Sequence, residues 1–170
     1  MLSLGRCKHM STSKMHADEV ETDVFLVRQL LAEQFPHWAE LPIQPVLSAG
    51  TDNAIYRLGD NMAVRLPRIH WATGQVEKEH HWLPRLAPLL PLAIPVPLAM
   101  GSPGAGYPWH WSVCQWLEGE NATIERIADP RQAAQKLAQF ITALQGIDPT
   151  GGPPPGPYNS YRGAVGGTRI

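Results

Sequence analysis

Two residues of this sequence, Arg65 and Glu79, have the types and surroundings to handle an anion. Arg65 falls in the run Met62 to Leu66, where strand alternation puts Met62, Val64 and Leu66 on one face and Ala63 with Arg65 on the other. A lone cation among small and apolar strand residues calls for an anionic partner. The planar guanidinium fork matches phosphate or carboxylate oxygens. The alternative is an arginine whose stem covers apolar surface while its head reaches water. Glu79 lies three residues after Val76 and four before Leu83, on one helical stripe with both. A carboxylate on an apolar stripe is costly unless paired, although Glu79 also fits a solvated rim beside Glu77 and Lys78. Strand arginine followed by helix glutamate lets each supply the other's missing partner. Upstream lies the polar loop Ser48-Ala49-Gly50-Thr51-Asp52-Asn53. Its small side chains and Gly50 let backbone N–H groups approach a phosphate closely, a composition that hairpin loops share in general.

Other clusters offer less. Glu77, Glu79, His80 and His81 suggest a metal site, but adjacent histidines on a helix point about a hundred degrees apart and do not readily share a ligand. Three of the six tryptophans fall between Trp109 and Trp116 without a basic stripe, which predicts sheet packing rather than base stacking. Cys7 and Cys114 form neither a disulfide framework nor a metal-ligand set, and Cys114 reads as a buried free thiol.

These residues need elements to hold them. The spacing of Val20, Val24, Val27, Leu31 and Phe35 predicts a helix from about Asp18 to Phe35, with Asp18, Glu19 and Glu21 at its positive end and Pro36 as its stop. Strands are expected at 45–47, 54–58 and 62–66, the last two joined by the turn Gly59-Asp60-Asn61. A helix over about 75–83 follows, with Pro84 beginning a separate short turn. Two further strands fit near 98–101 and 109–117, joined by the turn 102–106. The last helix has Asp129 as N-cap, Pro130 at its first position and Gly146 just past its end. Ala133, Leu137, Phe140, Ile141 and Leu144 form its apolar stripe, expected to be buried, yet little sequence follows that could cover it.

Length suits one ordinary domain with a sizeable core. With 14 basic against 15 acidic side chains, net charge points to no polyanionic partner, nucleic acid included. Residues 1–13 lack the apolar core of a signal peptide. The uncharged run 86–100 is interrupted by Pro88, Pro91, Pro95 and Pro97 and is too short to span a membrane. The expectation is a cytoplasmic protein. Met10 and Met15 are plausible alternative starts.

The stretch Leu47 to Leu58, followed by Met62-Ala63-Val64-Arg65-Leu66-Pro67-Arg68, resembles the opening lobe of aminoglycoside and macrolide phosphotransferases. So do Glu79 to Leu86 followed by Ile94-Pro95-Val96-Pro97, then Val113 to Gly119, then the helix ending Leu144-Gln145-Gly146-Ile147-Asp148-Pro149. The order and spacing of these pieces, covering roughly 17–163, carry the resemblance. It implies an α+β fold: a protein-kinase-like N-lobe of five antiparallel strands with an inserted helix, then a hinge and one helix of an incomplete C-lobe. The implied organisation is an N-terminal extension at 1–16, the N-lobe with its hinge at 17–119, the start of the C-lobe at 120–148 and a Gly/Pro-rich tail at 149–170.

The implied ligand is ATP or GTP. Ser48, Gly50, Thr51, Asp52 and Asn53 would lie over the phosphates. Arg65, paired with Glu79, would hold the α- and β-phosphates; arginine here is similar to the macrolide-type branch. Gln115 to Leu117 would be the hinge, with backbone atoms of Gln115 and Leu117 meeting the base. Gln145 departs from the family's usual Leu-His. The His-Gly-Asp…Asn loop and the metal-binding Asp that the family uses for transfer, with Mg²⁺, do not occur in these residues, and Asp129 and Asp148 read as helix-boundary residues. The complete relative would transfer a γ-phosphate to a hydroxyl of an antibiotic or another small metabolite. The chain is expected to be a truncated form, inactive alone. A non-catalytic nucleotide-binding or regulatory module and a gene fragment are the other readings.

Overall fold

The computed structural model describes residues 19–47, 50, 52–120, 122–154 and 156. Ser48 and Thr51 of the predicted phosphate loop, the extension at 1–16 and most of the tail lie outside them. The architecture is one five-stranded antiparallel sheet with helices. Strands β1 (Ile43–Pro45), β2 (Asn53–Leu58), β3 (Met62–Pro67), β4 (Pro97–Gly101) and β5 (Trp111–Gln115) lie in the order β1-β2-β3-β5-β4. Helix α1 (Val24–Gln34) precedes the sheet, α2 (Gln75–Leu86) connects β3 to β4, and α3 (Pro130–Gln145) follows it.

Helix α1 starts later than its apolar spacing predicts. The Asp23 carboxylate accepts from the Leu26 N–H at 2.8 Å and caps the helix there. The residues before it are committed to the sheet instead: the Val20 N–H donates to the Arg68 carbonyl at 2.9 Å, and Glu19 pairs with Arg68 at 2.7 Å. Glu19 is therefore a buried ion-pair partner rather than a helix-dipole residue. Val27, Leu30 and Leu31 are fully buried in a core shared with Tyr56, Leu58, Val64, Leu66, Trp111 and Val113.

Period-two alternation sorts the three central strands. Tyr56 and Leu58 of β2, Val64 and Leu66 of β3, and Trp111 and Val113 of β5 enter that core. The register sets Ile55 opposite Arg65, Ala63 opposite Cys114 and Arg65 opposite Ser112, so these alternate residues share the other face. Two glycines make the register possible. Gly59 turns β2 into β3 at a φ of 56°, where side chains are strained. A Cβ on Gly101 would lie 2.0 Å from the Trp111 ring, so only glycine lets the indole seat. The Tyr107 hydroxyl donates to the Pro67 carbonyl at 2.7 Å, fastening the β4–β5 connection to the end of β3.

Further boundaries differ from expectation: the strand expected at 109–117 is confined to Trp111–Gln115, and two others shift for physical reasons. The first strand lies at Ile43–Pro45 rather than 45–47, because Ile43 rather than Leu47 reaches the core; Leu47 is 94% exposed. Pro84 lies inside α2 instead of ending it. It falls in the last turn of the helix, so the helix forfeits only the bond to the His80 carbonyl four residues back and ends soon after at Leu86.

Helix α3 has the predicted caps: Asp129 accepts from the Gln132 N–H at 3.0 Å, Pro130 opens the helix and Gly146 follows it. Its stripe is not buried. Leu137, Ile141 and Leu144 are 54%, 45% and 43% exposed, since no described element packs over them. No described helix is long and apolar enough to cross a membrane.

Candidate functional site

The face of β2, β3 and β5 opposite the α1 core forms the floor of a cavity of about 770 Å³. Ile55, Ala63 and Cys114 supply an apolar floor, and Leu83 of α2, Pro95 and Leu117 add to it. Gly50, Asp52 and Asn53 line the cavity at the loop into β2. Gln115, Trp116 and Leu117 line it where β5 runs out of the sheet. The volume falls in the range of small-molecule sites.

Arg65 and Glu79 meet inside this cavity. The guanidinium Nη1 lies 2.5 Å from the Glu79 Oε2, with side chains 31% and 24% exposed. Strand alternation aims Arg65 away from Val64 and Leu66, and the helical stripe carrying buried Val76 and cavity-lining Leu83 turns Glu79 towards it. Pairing offsets the desolvation that either charge would suffer alone. The arginine keeps further donors for an incoming anion.

The stem of the loop is held by backbone bonds. The Arg68 N–H donates to the Asp52 carbonyl at 2.8 Å, and Asn53 pairs with Pro67 in the ladder. At the opposite end the Gln115 N–H donates to the Val96 carbonyl and the Trp116 N–H to the Asn61 carbonyl, both at 2.8 Å. With its N–H so engaged, Gln115 can offer a ligand only its carbonyl and side chain.

Burial pushes the Cys114 thiol above its ordinary range; the bond to the Ser112 hydroxyl and the Arg65 charge offset part of this, and Glu79 adds to it. The group is a neutral wall of the cavity. His80 is pushed down by burial, against the opposing effects of the Ala99 backbone, Glu79 and Glu77, which favours the uncharged ring. Among the described residues no three His, Cys, Asp or Glu side chains are placed to hold a metal. Asp129 is engaged as a cap, and Asp148 accepts from the Thr150 N–H and hydroxyl at 3.0 and 2.7 Å.

Seven of the predicted site residues, Gly50, Asp52, Asn53, Arg65, Glu79, Gln115 and Leu117, thus line one cavity, while Ser48 and Thr51 lie outside the described residues. Sequence reasoning missed the wall residues Ile55 and Cys114 and overlooked Arg57, while Trp116 lies inside the expected hinge 115–117. Arg57 shares the cavity-side alternation of Asn53 and Ile55 and stacks over the Trp116 ring, with Cζ 4.3 Å from the centroid. That alternation was the available signal.

Solved structures share the fold. The GDP complex of wild-type aminoglycoside 2'-phosphotransferase-IIIa superposes with a TM-score of 0.65 at 18% identity, over 75% of this chain and 43% of that one. The GDP and kanamycin complex of APH(2")-IIia gives 0.58 at 21% identity, over 70% and 41%. The streptomycin-ATP-APH(2")-IIa ternary complex gives 0.50 at 19% identity, over 76% and 41%. The chain therefore spans about two-fifths of the length of these proteins. The five-stranded sheet and helices of this chain match the kinase-like N-lobe of aminoglycoside phosphotransferases. No curated protein sequence matches the chain significantly. The family model described as "Phosphotransferase enzyme family" (APH) matches residues 44–164, well over half of the sequence, and the chain belongs to that family.

Proposed function

We propose that the chain binds a purine nucleoside triphosphate, ATP or GTP, in the cavity between the β2 loop and the end of β5. The observation that carries this reading is the convergence of a paired cation, a loop stem and an exposed strand end on one largely apolar cavity. The residues fit the ligand by chemistry. Ile55, Ala63, Leu83 and Leu117 offer apolar walls to a flat base. The Gln115 carbonyl and Leu117 N–H are the atoms that would read its edge. Arg65, oriented by Glu79, would take phosphate oxygens, and Gly50, Asp52 and Asn53 would cover them. The GDP and ATP complexes among the similar solved structures support a nucleotide rather than another anion. Arginine at position 65 supports a place near the macrolide-type branch.

In a complete relative, phosphoryl transfer to a small-molecule hydroxyl would follow. Transfer needs a carboxylate to orient the acceptor and ligands for Mg²⁺. These 170 residues contain no His-Gly-Asp, and the two cavity carboxylates do not form a metal site, because Glu79 is committed to Arg65. The reading for these 170 residues by themselves is nucleotide binding without phosphate transfer.

Calorimetry tests the binding step: Arg65→Ala should weaken ATP and GTP by about 10- to 100-fold, the loss of one hydrogen-bonded charge contact. Equal affinity in the variant, or no heat of binding to the parent chain, would overturn the reading. Labelled-phosphate transfer to aminoglycosides or macrolides above a buffer control would refute inactivity of the chain alone.

A further inference from the structure

We propose that Arg57 is a positioning residue for base recognition, fixing the strand end 115–118 against the β2–β3 turn; this rests on the nucleotide reading above. Its guanidinium is engaged from several directions. Nη2 donates to the Asp60 carbonyl at 2.5 Å and pairs with the Glu118 Oε1 at 2.6 Å, and Nε donates to the Gly59 carbonyl at 3.4 Å. Its Cζ lies 4.3 Å from the Trp116 ring centroid. Planarity lets one arginine stack on an aromatic face while its edge makes hydrogen bonds, which a lysine ammonium cannot do.

These contacts join two segments distant in sequence. The turn Gly59–Asn61 is bonded to Arg57 through the carbonyls of Gly59 and Asp60 and to Trp116 through the Asn61 carbonyl. The exit from β5 is bonded through the Trp116 N–H, the Trp116 ring and the Glu118 carboxylate. Gln115 and Leu117 flank Trp116 and line the cavity with it. Their base-facing backbone atoms therefore keep a fixed direction only while Trp116 keeps its place. Arg57 itself does not line the cavity and works through Trp116.

The test uses the full chain and has two arms. Without nucleotide, Arg57→Ala should speed amide hydrogen exchange at Trp116 by about 10-fold, with Val64 and Val113 in the sheet centre unchanged. Unchanged protection at Trp116 would overturn the clamp whether or not the chain binds nucleotide. In the second arm, calorimetry with ATP, adenosine and inorganic tripolyphosphate should show about 10-fold weaker adenosine and ATP binding with tripolyphosphate unaffected. A purely structural role would weaken adenosine and tripolyphosphate together, and that outcome sinks the proposal. Arg57→Lys, which keeps the charge but not the fork, should restore only part of the protection. Should Arg57→Ala fail to fold, Glu118→Gln removes the exposed ion-pair partner. Trp116 exchange should then rise by about 2- to 5-fold, and no change would count against the clamp. Absence of ATP binding by the parent chain would defeat the nucleotide reading and with it base recognition, while the exchange arm still decides whether Arg57 holds Trp116.

Discussion

Cutting the Arg65–Glu79 pair one residue at a time and then together gives the sharpest test of how the site is built. At an effective dielectric of 20, unit charges about 4 Å apart attract by about 4 kcal/mol. Desolvation and the ordering of two long side chains remove most of this. Fully exposed pairs net about 0–1 kcal/mol, while breaking buried pairs costs about 3–5 kcal/mol. With side chains 31% and 24% exposed and a short contact of 2.5 Å, this pair belongs between those limits. The expected coupling energy is about 1–2 kcal/mol. Urea unfolding of the parent chain, Arg65→Ala, Glu79→Ala and the double variant at pH 7 measures it as the departure from additivity. Repeating the cycle at 1 M salt, where the Debye length is about 3 Å, should leave more than half of the coupling, because partly buried charges are screened less. Additivity within about 0.3 kcal/mol would refute the claim that each charge depends on the other.

Gly101→Ala should destabilise the chain by about 1–3 kcal/mol through overpacking against Trp111, which thermal unfolding would read as a fall in Tm of about 2–12 °C; an unchanged Tm would show that the indole can move aside. Partial burial raises the Glu77 pKa, but the hydrogen bond with His110, its own backbone N–H and the charges of His110 and His80 outweigh that and leave it lowered. A carboxylate depressed on folding contributes stability above its unfolded value of about 4.3, and that contribution is lost as pH falls through the lower folded value. An NMR titration of His110→Ala should move the Glu77 pKa upward, and an unmoved value would remove His110 as a cause. The buried, raised thiol of Cys114 should react with iodoacetamide far more slowly than a free cysteine at pH 7.5; labelling at the free-thiol rate would contradict its place in the cavity wall.

Much of this was legible because local rules and the fold agree. Alternation alone separates Arg65 from Val64 and Leu66, and capping chemistry alone places Asp129, Pro130 and Gly146 around α3. The start of α1 was not legible, because its outcome depends on Arg68, which draws Glu19 and Val20 to the end of β3 across a long sequence separation. Pro84 misled because its cost is local, one lost bond and a crowded carbonyl four residues back, and whether the rest of the fold outweighs that cost is a tertiary fact. Arg57 escaped notice because its partners, Trp116 and Glu118, follow β5 and lie far along the chain from it. The α3 stripe was read as helical from its spacing, but spacing says nothing about what covers a face, and α3 has no buried residue.

The anion-facing pair and the strand-end clamp depend on one variable, the register of β2, β3 and β5. Asn53, Ile55 and Arg57, Ala63 and Arg65, and Ser112 and Cys114 share a face because each is two residues from the next. A slip of one residue in β3 would turn Arg65 into the core and bring Val64 to the cavity. Two features oppose that slip at different points, the left-handed turn at Gly59 and the Tyr107 hydroxyl bond to Pro67, while the Trp111 indole seated on Gly101 fixes β4 against β5. None of them touches the cavity. Residues that only fix the register therefore bear on ligand binding as directly as those lining it. A change at Gly59 should weaken nucleotide binding in proportion to the register lost, while leaving the Arg65–Glu79 coupling intact in every molecule that keeps it.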